Sequence, residues 1–337
     1  MRFSPKTIGT AAAVTTVVIW TAFIVIARAS ADPSRGATLT PFDIALLRIL
    51  GASCVLLPWG AWLVRQGRAT GQTGWLGLSP LPWRTTVLTG LFGGLLYAML
   101  AYSGFVYAPA AHASVLMPGS LPLWTTLLAA LILHDRITPA RALGLAFIVG
   151  GDLLVGGASL LKAFEGGAVW KGDLLFMTAA LCWSVYSVLA RKFGLDAVRA
   201  TIAITTLAFI TYVPVYGLLL ATGSVPSRLG AVPAGDIVFQ LLFQGVGSVA
   251  VSGITFTQMI RHFGPVRSTM ITALVPGLSA LGAVLFLGEP LSVTLLGGLA
   301  LVTVGILFGV RAAAVSTPVK IANNDHSTMG MAEKHSN

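Results

Sequence analysis

The stretch VVIWTAFIVIAR at residues 17–28 decides the fold, because much the same pattern returns as AALCWSVYSVLAR at residues 179–191. In both stretches a tryptophan stands eight residues before a closing arginine, and an alanine immediately precedes that arginine. Hydroxyl, aromatic and aliphatic residues fill matching places between them. Chance explains such agreement poorly, so the sequence predicts an internal duplication.

The composition indicates a membrane protein. Of 337 residues, 55% are hydrophobic and only 9% are charged, which is too few charges to cover a soluble protein of this size. A spanning helix needs about 20 mostly apolar residues, and unpaired backbone groups are so costly in hydrocarbon that such stretches must be helical. We therefore expect an all-α polytopic membrane protein with ten transmembrane helices, at residues 8–29, 42–64, 85–107, 110–133, 139–158, 172–189, 200–222, 237–260, 266–287 and 291–310.

The duplication extends well beyond the opening stretch. With a constant shift of 154 residues, Pro122 aligns with Pro276 and Tyr102 with Phe256. The glycine pairs 144 and 298, and 151 and 305, align in the same way. The later spans of each half therefore correspond to one another.

Each half contains five predicted spans, and five is an odd number. The second half must therefore enter the membrane upside down, and inverted repeats commonly serve alternating access around a site near the midplane. We expect a first five-helix repeat over residues 8–158 and a second, inverted one over 172–311. Residues 312–337 are polar and without periodicity, which predicts a disordered cytoplasmic tail.

A family resemblance follows from the paired motifs. MPGSLPLWTTLLAALILHDRITPARALGLAFIVGGDLLV at residues 117–155 and ALVPGLSALGAVLFLGEPLSVTLLGGLALVTVGIL at 273–307 share the order of proline, turn and glycine-rich helix. With a tryptophan in the first helix of each half, the chain resembles the EamA-type branch of the drug/metabolite transporter superfamily over residues 8–311. The resemblance implies a secondary transporter that exports small polar or amphipathic solutes, with amino acids prominent among them.

The formal charge of +10 could suggest nucleic acid, but its distribution favours a membrane orientation. If odd-numbered spans run outward, 15 of the 21 basic residues fall in inner segments: Arg2, Lys6, Arg65, Arg68, Arg84, Arg136, Arg141, Arg191, Lys192, Arg199, Arg261, Arg267, Arg311, Lys320 and Lys334. This bias predicts that both termini are cytoplasmic and that the chain lies in a bacterial-type inner (plasma) membrane. The expected partners are a small-molecule solute and the lipid bilayer, with no nucleic acid; a homo-oligomer is left open.

The eighth span carries a polar stripe. Gln240, Gln244, Ser248, Ser252 and Thr255 recur at steps of three or four residues, which keeps them on one face of a helix. Unpartnered amides and hydroxyls are expensive in hydrocarbon, so this face must meet protein or water. The stripe could be interhelical hydrogen bonding, at about 1 kcal/mol per contact, or a solute pathway. Five members favour the pathway, and the Gln244 amide is the first candidate to touch a solute.

Aromatic residues are the next candidates for solute binding. Trp20, Trp124 and Trp183 lie too deep in their spans for the interfacial aromatic belt, while Tyr97 and Tyr102 lie along the third span. Each could be ordinary helix packing or a cavity wall. Because Trp20 and Trp183 occur at matched places in the two halves, the cavity is favoured, where their rings could stack on apolar or cationic solutes.

Two repeat-equivalent prolines, Pro122 and Pro276, fall inside predicted spans. Proline removes a backbone hydrogen bond and bends a helix. The two readings, a fixed kink that packing tolerates and a hinge for rocking the halves, are equally supported by the sequence.

Charges inside predicted spans are functional hypotheses by default. Arg48 lies about two turns into the second span, where it could bind a solute carboxylate or extend to the outer surface. Asp152, near the outer end of the fifth span, could carry a coupling proton or be solvated by nearby headgroups.

Two competing classes of function remain. An intramembrane hydrolase would use Ser53 in the small-residue stretch GASC with His112 as base, but no third orienting group is evident. A non-transporting receptor or subunit would need no polar stripe. Metal-ligand spacing and phosphate-binding loops do not appear, so the sequence predicts no metal, no cofactor and no enzyme.

Overall fold

The computed structural model describes residues 4–31, 39–69, 74–161, 167–288 and 292–315, and these residues form ten long helices without a named strand. The five helices of the first half are α1 (Pro5–Ala31), α2 (Pro41–Ala69), α3 (Trp83–Tyr107), α4 (Ala110–Leu133) and α5 (Pro139–Leu161). Those of the second half are α6 (Val169–Lys192), α7 (Ala197–Ala221), α8 (Ala234–Phe263), α9 (Pro265–Leu287) and α10 (Val293–Val315).

The predicted fold class is confirmed. Of the helices that the structure describes, nine are long and apolar enough to cross a membrane, and the apolar part of α10, Val293–Phe308, is shorter. Every predicted span coincides with one helix, although most helices continue a few residues further at their ends. The last helix runs on to Val315, and residues 316–337 lie outside the described residues, so the disorder of the tail stays a prediction.

Reciprocal glycine contacts join the two halves through α5 and α10. A Cβ at Gly151 would lie 2.6 Å from the carbonyl oxygen of Gly298, and one at Gly305 would collide with the carbonyl of Gly144. Since Gly144 and Gly298 are repeat-equivalent, as are Gly151 and Gly305, the two contacts are images of each other. Small residues at these places let the helix backbones approach closely, as glycine does in membrane helix interfaces.

The repeats also match in where their helices are irregular. Residues Leu91–Leu95 of α3 are π-helical, and the shift of 154 places them at 245–249, inside the π-helical Leu241–Val251 of α8. In α4 the π-helical Val115–Gly119 corresponds to 269–273, where α9 becomes 3₁₀-helical at Thr272. Such irregular turns are frequent at functional sites.

The irregular turns of α4 and α9 show how their helices accommodate the two repeat-equivalent prolines. Pro122 lies in the first turn of the segment Leu121–Leu133, and Pro276 in the first turn of Val275–Gly282. A missing N–H costs little at such positions because it would lack an intrahelical partner anyway. Each proline therefore follows a break in its helix, and the hinge reading stays a prediction.

Candidate functional site

Two adjoining cavities lie at the centre of the helix bundle. The larger cavity, with about 580 Å³ of empty space that includes its open mouth, is lined by residues of α2, α3, α6, α7 and α8. The smaller cavity, with about 300 Å³ counted in the same way, is lined by α1, α3, α4, α6 and α9. Trp183 lines both, so its indole forms part of the wall between them. Both halves of the chain contribute to each cavity, which is the usual arrangement of a site between inverted repeats.

Arg48 brings a positive charge into the larger cavity. Its side chain is only 9% exposed, and Nη1 donates to Ser248 Oγ at 2.9 Å and to Gln244 Oε1 at 3.4 Å. Tyr102 also donates to Gln244 Oε1, at 3.2 Å, and the Phe23 ring lies 5.5 Å from the guanidinium carbon. The alternative that Arg48 extends to the outer surface is wrong, because α8 presents hydrogen-bond acceptors that hold the guanidinium inside the bundle.

No carboxylate balances that charge in the described part of the chain. The ion pairs that described residues form with one another join His112 to Asp173, Arg191 to Asp135 and Arg261 to Asp196. Asp43 lies one and a half turns before Arg48 but faces elsewhere. Its fully buried carboxylate accepts hydrogen bonds from Thr40, Tyr216, Ser227 and the backbone of Arg228. Arg48 is therefore a buried cation held by neutral groups.

The residues of the polar stripe of α8 have two different roles. Gln240 donates to Ser30 Oγ at 2.7 Å, and Thr255 bonds the Thr16 hydroxyl at 2.8 Å, so these two join α8 to α1. Ser248 lines the larger cavity, and Gln244 stands behind Arg48. Interhelical bonding therefore accounts for the ends of the stripe, while its centre reaches the cavity. Gln240 and Gln244 line neither cavity, so Gln244 reaches the larger cavity only through Arg48.

An aromatic cluster separates and lines the cavities. The ring centroids of Trp20 and Trp183 lie 5.6 Å apart, and that of Tyr97 lies 4.9 Å from Trp183. Phe256 contacts both indoles, at 5.0 and 5.4 Å. Because Trp20 and Trp183 are repeat-equivalent and touch each other, they lie beside the pseudo-twofold axis. Trp124 lines neither cavity.

Glycines let α3 come close to this cluster. A Cβ at Gly93 would lie 2.7 Å from the Tyr186 ring, and one at Gly94 would lie 2.7 Å from Ile204 Cγ2. Both glycines line the larger cavity within or beside the π-helical turns. Tyr186 and Ile204 occupy the space that a side chain at either position would need, so the glycines set how closely α3 approaches α6 and α7 beside the cavity.

Three polar atoms at the larger cavity, or behind Arg48 at its wall, are buried without a hydrogen-bond partner among the described residues. They are the indole Nε1 of Trp183, the amide Nε2 of Gln244 and the hydroxyl of Thr205. Trp183 and Thr205 line the larger cavity. Buried polar groups are nearly always paired in folded proteins, so such atoms require an explanation, and a bound solute is one.

Two residues of this region, Thr205 and Phe256, were not among the residues predicted from the sequence. No sequence signal separates Thr205 from the other threonines of α7, whereas Phe256 could have been found as the repeat-equivalent of Tyr102.

Asp152 is buried away from both cavities. It is 6% exposed, and neither carboxylate oxygen has a hydrogen-bond partner among the described residues. The alternative that headgroups solvate Asp152 is wrong, because α5 turns this side chain into the protein. Neither of the two cavities includes it among its lining residues.

The residues of the hydrolase hypothesis are not bonded to each other. His112 Nδ1 lies 2.9 Å from Asp173 Oδ1, which joins the start of α4 to the first turns of α6. The Ser53 hydroxyl is buried and has no hydrogen-bond partner in the described part of the chain. A serine nucleophile needs a base within hydrogen-bond reach, and His112 does not supply one here.

Comparisons with known proteins agree with this architecture. The model of the EamA-like transporter family matches residues 7–157 and 170–311. An uncharacterized transporter of Bacillus subtilis is 28% identical, over 66% of this chain and 71% of its own. An aromatic amino acid exporter of Ancylobacter novellus is 29% identical, over 68% and 83%, and a probable terminal-alkyne amino-acid exporter of Streptantibioticus cattleyicolor is 28% identical, over 85% and 88%. A solved crystal structure covers 91% of this chain and 98% of its own, with a TM-score of 0.60 at 24% identity, which shows likeness of fold alone.

Proposed function

Because the chain belongs to the EamA-like transporter family, we propose that it is a secondary transporter that exports small amphipathic metabolites, amino acids foremost, through the two central cavities. The observation that carries this proposal is Arg48, a buried cation at the wall of the larger cavity without a carboxylate partner among the described residues. Two relatives are named amino-acid exporters, and amino acids carry the carboxylate that such a cation lacks.

The solute carboxylate lies against Arg48 in this proposal. A guanidinium presents several N–H groups in a fixed fork that matches a carboxylate. Of the Arg48 nitrogens, only Nη1 has hydrogen-bond partners among the described residues, Gln244 and Ser248. Gln244 Oε1 accepts from both Arg48 and Tyr102, which turns the unpartnered Nε2 of the same amide away from them. The apolar body of the solute packs on Trp183, Trp20 and Tyr97.

Export proceeds by alternating access. The halves rock about the aromatic cluster, and Pro122 and Pro276 with the irregular turns that precede them serve as hinges. Such turns can change their hydrogen bonding without breaking a whole helix. A solute shifts the balance between outward-open and inward-open states only if it contacts them differently, and Arg48 on α2 with Ser248 on α8 provides a contact that rocking can alter.

Both termini are cytoplasmic, in the plasma membrane of a bacterial cell. The pairs Arg191–Asp135 and Arg261–Asp196 place the ends of α4, α6 and α8 and the start of α7 at one end of the bundle. That end also carries most described basic residues: Lys6, Arg65, Arg84, Arg136, Arg141, Lys192, Arg199 and Arg267. The positive-inside rule assigns this end to the cytoplasm. The alternative of a hydrolase lacks a base for Ser53, and transporters are the named relatives.

Efflux from liposomes tests the proposed function. Purified protein is reconstituted with a labelled amino-acid mixture inside, and we expect release of a subset of that mixture. Gln244→Ala should slow release about tenfold, because losing the amide removes a hydrogen bond to a charged group worth about 1.5 kcal/mol. Gln240→Ala is the matched control one turn earlier, since that amide bonds Ser30 and not Arg48, and it should keep the wild-type rate. If folded wild-type protein releases no amino acid, amino-acid export is refuted.

A proton taken up by Asp152 is the proposed energy source of export. An ionised carboxylate without a partner is very costly to bury, so a conformation that buries Asp152 this way favours the protonated acid. The charged groups on the elements that pack against α5 include Asp173 of α6, whose Oδ2 lies 4.0 Å from where a Cβ of Gly156 would stand. Asp152 lies one turn before Gly156 on α5, so it is nearer to the start of that helix than the level of the His112–Asp173 pair.

The substitution Asp152→Asn tests whether proton uptake drives transport. With an acidic medium outside preloaded liposomes, wild-type efflux should accelerate several-fold over the rate without a pH gradient. Asp152→Asn cannot exchange a proton, so its efflux should be the same with and without the gradient. The exposed Asp236 at the start of α8 provides the matched change, and Asp236→Asn should respond as wild type does. A gradient response that survives in Asp152→Asn would contradict this assignment.

A further inference from the structure

The charges around the cavities are one-sided. Among the described residues that line the larger and smaller cavities, Arg48 is the only charged one, and none is acidic. Three buried carboxylates have been described above, and none of them lines either cavity. Asp43 accepts hydrogen bonds from Thr40, Tyr216, Ser227 and the backbone of Arg228, Asp173 pairs with His112, and Asp152 is the third. A solute in this site therefore finds a partner for a negative charge and none for a positive one.

The hydrogen-bonding groups repeat this bias. Trp183 Nε1, an unpartnered nitrogen among the described residues that line both cavities, is a donor only. The oxygen of Gln244 already accepts from Arg48 and Tyr102, and Ser248 Oγ already accepts from Arg48. The Thr205 hydroxyl, which can donate or accept, is a neutral group. These atoms can donate to the oxygens of a carboxylate, but they offer few free acceptors to an ammonium group.

An ammonium group would also be held close to Arg48. In an α-amino acid the ammonium and the carboxylate share one carbon, so a carboxylate on Arg48 brings the ammonium within a few ångströms of a like charge, and Arg48 is a buried group. The faces of Trp20, Trp183 and Tyr97 are the compensation available, through cation–π attraction. Attraction to the rings and repulsion by Arg48 oppose each other, so the amino group adds little to binding.

From this asymmetry we infer that the site recognises apolar monocarboxylates as a class and is indifferent to an α-amino group. Amino acids are then one kind of substrate among several, and the same acids without the amino group belong to the substrate range. Amines that lack the carboxylate are excluded, because they would bury a cation beside Arg48. This inference rests on the proposed function, since it assumes that the solute carboxylate binds Arg48.

Three indole compounds isolate the two charged groups of the solute. Tryptophan carries both groups, indole-3-propionate lacks the amine, and tryptamine lacks the carboxylate, while the ring and chain stay nearly the same. Binding is measured by calorimetry on purified protein in detergent, because the neutral form of a weak acid would leak across liposomes. Leucine, 4-methylpentanoate and isoamylamine form a second series of the same design for a smaller apolar body.

In at least one series we expect the amino acid and its deaminated acid to bind within about threefold of each other, and the amine to bind at least about 30-fold more weakly. Arg48→Gln should weaken both acids by the same factor. If an amino acid binds and its deaminated acid binds tenfold more weakly or worse, the amino group is recognised and the inference fails while the proposed function stands. If the amines bind as well as the acids, the inference fails as well. If no carboxylate in either series binds to folded protein, the proposed function itself fails.

Discussion

Replacing Arg48 by glutamine is expected to reduce amino-acid efflux by about 100-fold. A hydrogen bond to a charged group contributes about 1.5–3 kcal/mol, and a guanidinium that meets a carboxylate with two such bonds contributes about 3 kcal/mol or more, which corresponds to about two powers of ten. Glutamine keeps a polar side chain near Ser248 and Gln244 but removes the charge. Initial rates of efflux from preloaded liposomes measure this loss.

Stability distinguishes this role of Arg48 from a structural one. A buried cation without a carboxylate partner is costly to the solute-free protein, so its removal should leave the thermal midpoint unchanged or raise it. A residue that served only to join α2 to α8 would lower the midpoint when replaced. Arg65→Gln is the matched control, because Arg65 lies exposed on the same helix, and that variant should transport as wild type does. Normal transport by the Arg48→Gln protein would contradict the proposal that Arg48 binds the solute carboxylate.

Much of the fold was accessible from the sequence because it depends on local and repeated features. Apolar length fixes each spanning helix, and the recurrence of Trp20 as Trp183 indicated the duplication before any contact was known. The same recurrence favoured a central cavity, and the two indoles do touch each other at its wall. Residues next to a symmetry axis meet their own equivalents, so this part of the site follows from the repeat itself.

The partners of the polar stripe could not be predicted in the same way. Gln240 bonds Ser30 and Thr255 bonds Thr16, which are 210 and 239 residues away in the chain. No periodicity within α8 reveals which neighbouring helix faces each turn, so the stripe could not be divided into bonding and cavity positions. Arg48 posed the same problem: its depth allowed it to extend outward, and only the position of Ser248 on another helix shows that it does not.

The close approach of α2 and α8 also depends on glycines whose importance no single helix shows. A Cβ at Gly245 would lie 2.6 Å from both the backbone nitrogen of Ala52 and the Cα of Gly51. Backbone atoms cannot move aside as the end of a flexible side chain can. Gly247, two residues later in the same π-helical stretch, is different, because the nearest atom to its Cβ would be the Leu242 oxygen at 3.8 Å.

Gly245→Ala is therefore expected to abolish most transport and to lower stability, whereas Gly247→Ala should do neither. Overpacking typically costs about 1–3 kcal/mol, and relieving it here must separate α2 from α8. Gly245 is next to Gln244 and three residues before Ser248, so that separation would lengthen the 2.9 Å contact between Arg48 and Ser248. At Gly247 the added methyl has room, and alanine favours helix over glycine by about 0.5–1 kcal/mol. Thermal unfolding in detergent and liposome efflux measure both effects, and equal behaviour of the two alanine variants would show that the close approach is not what positions Arg48.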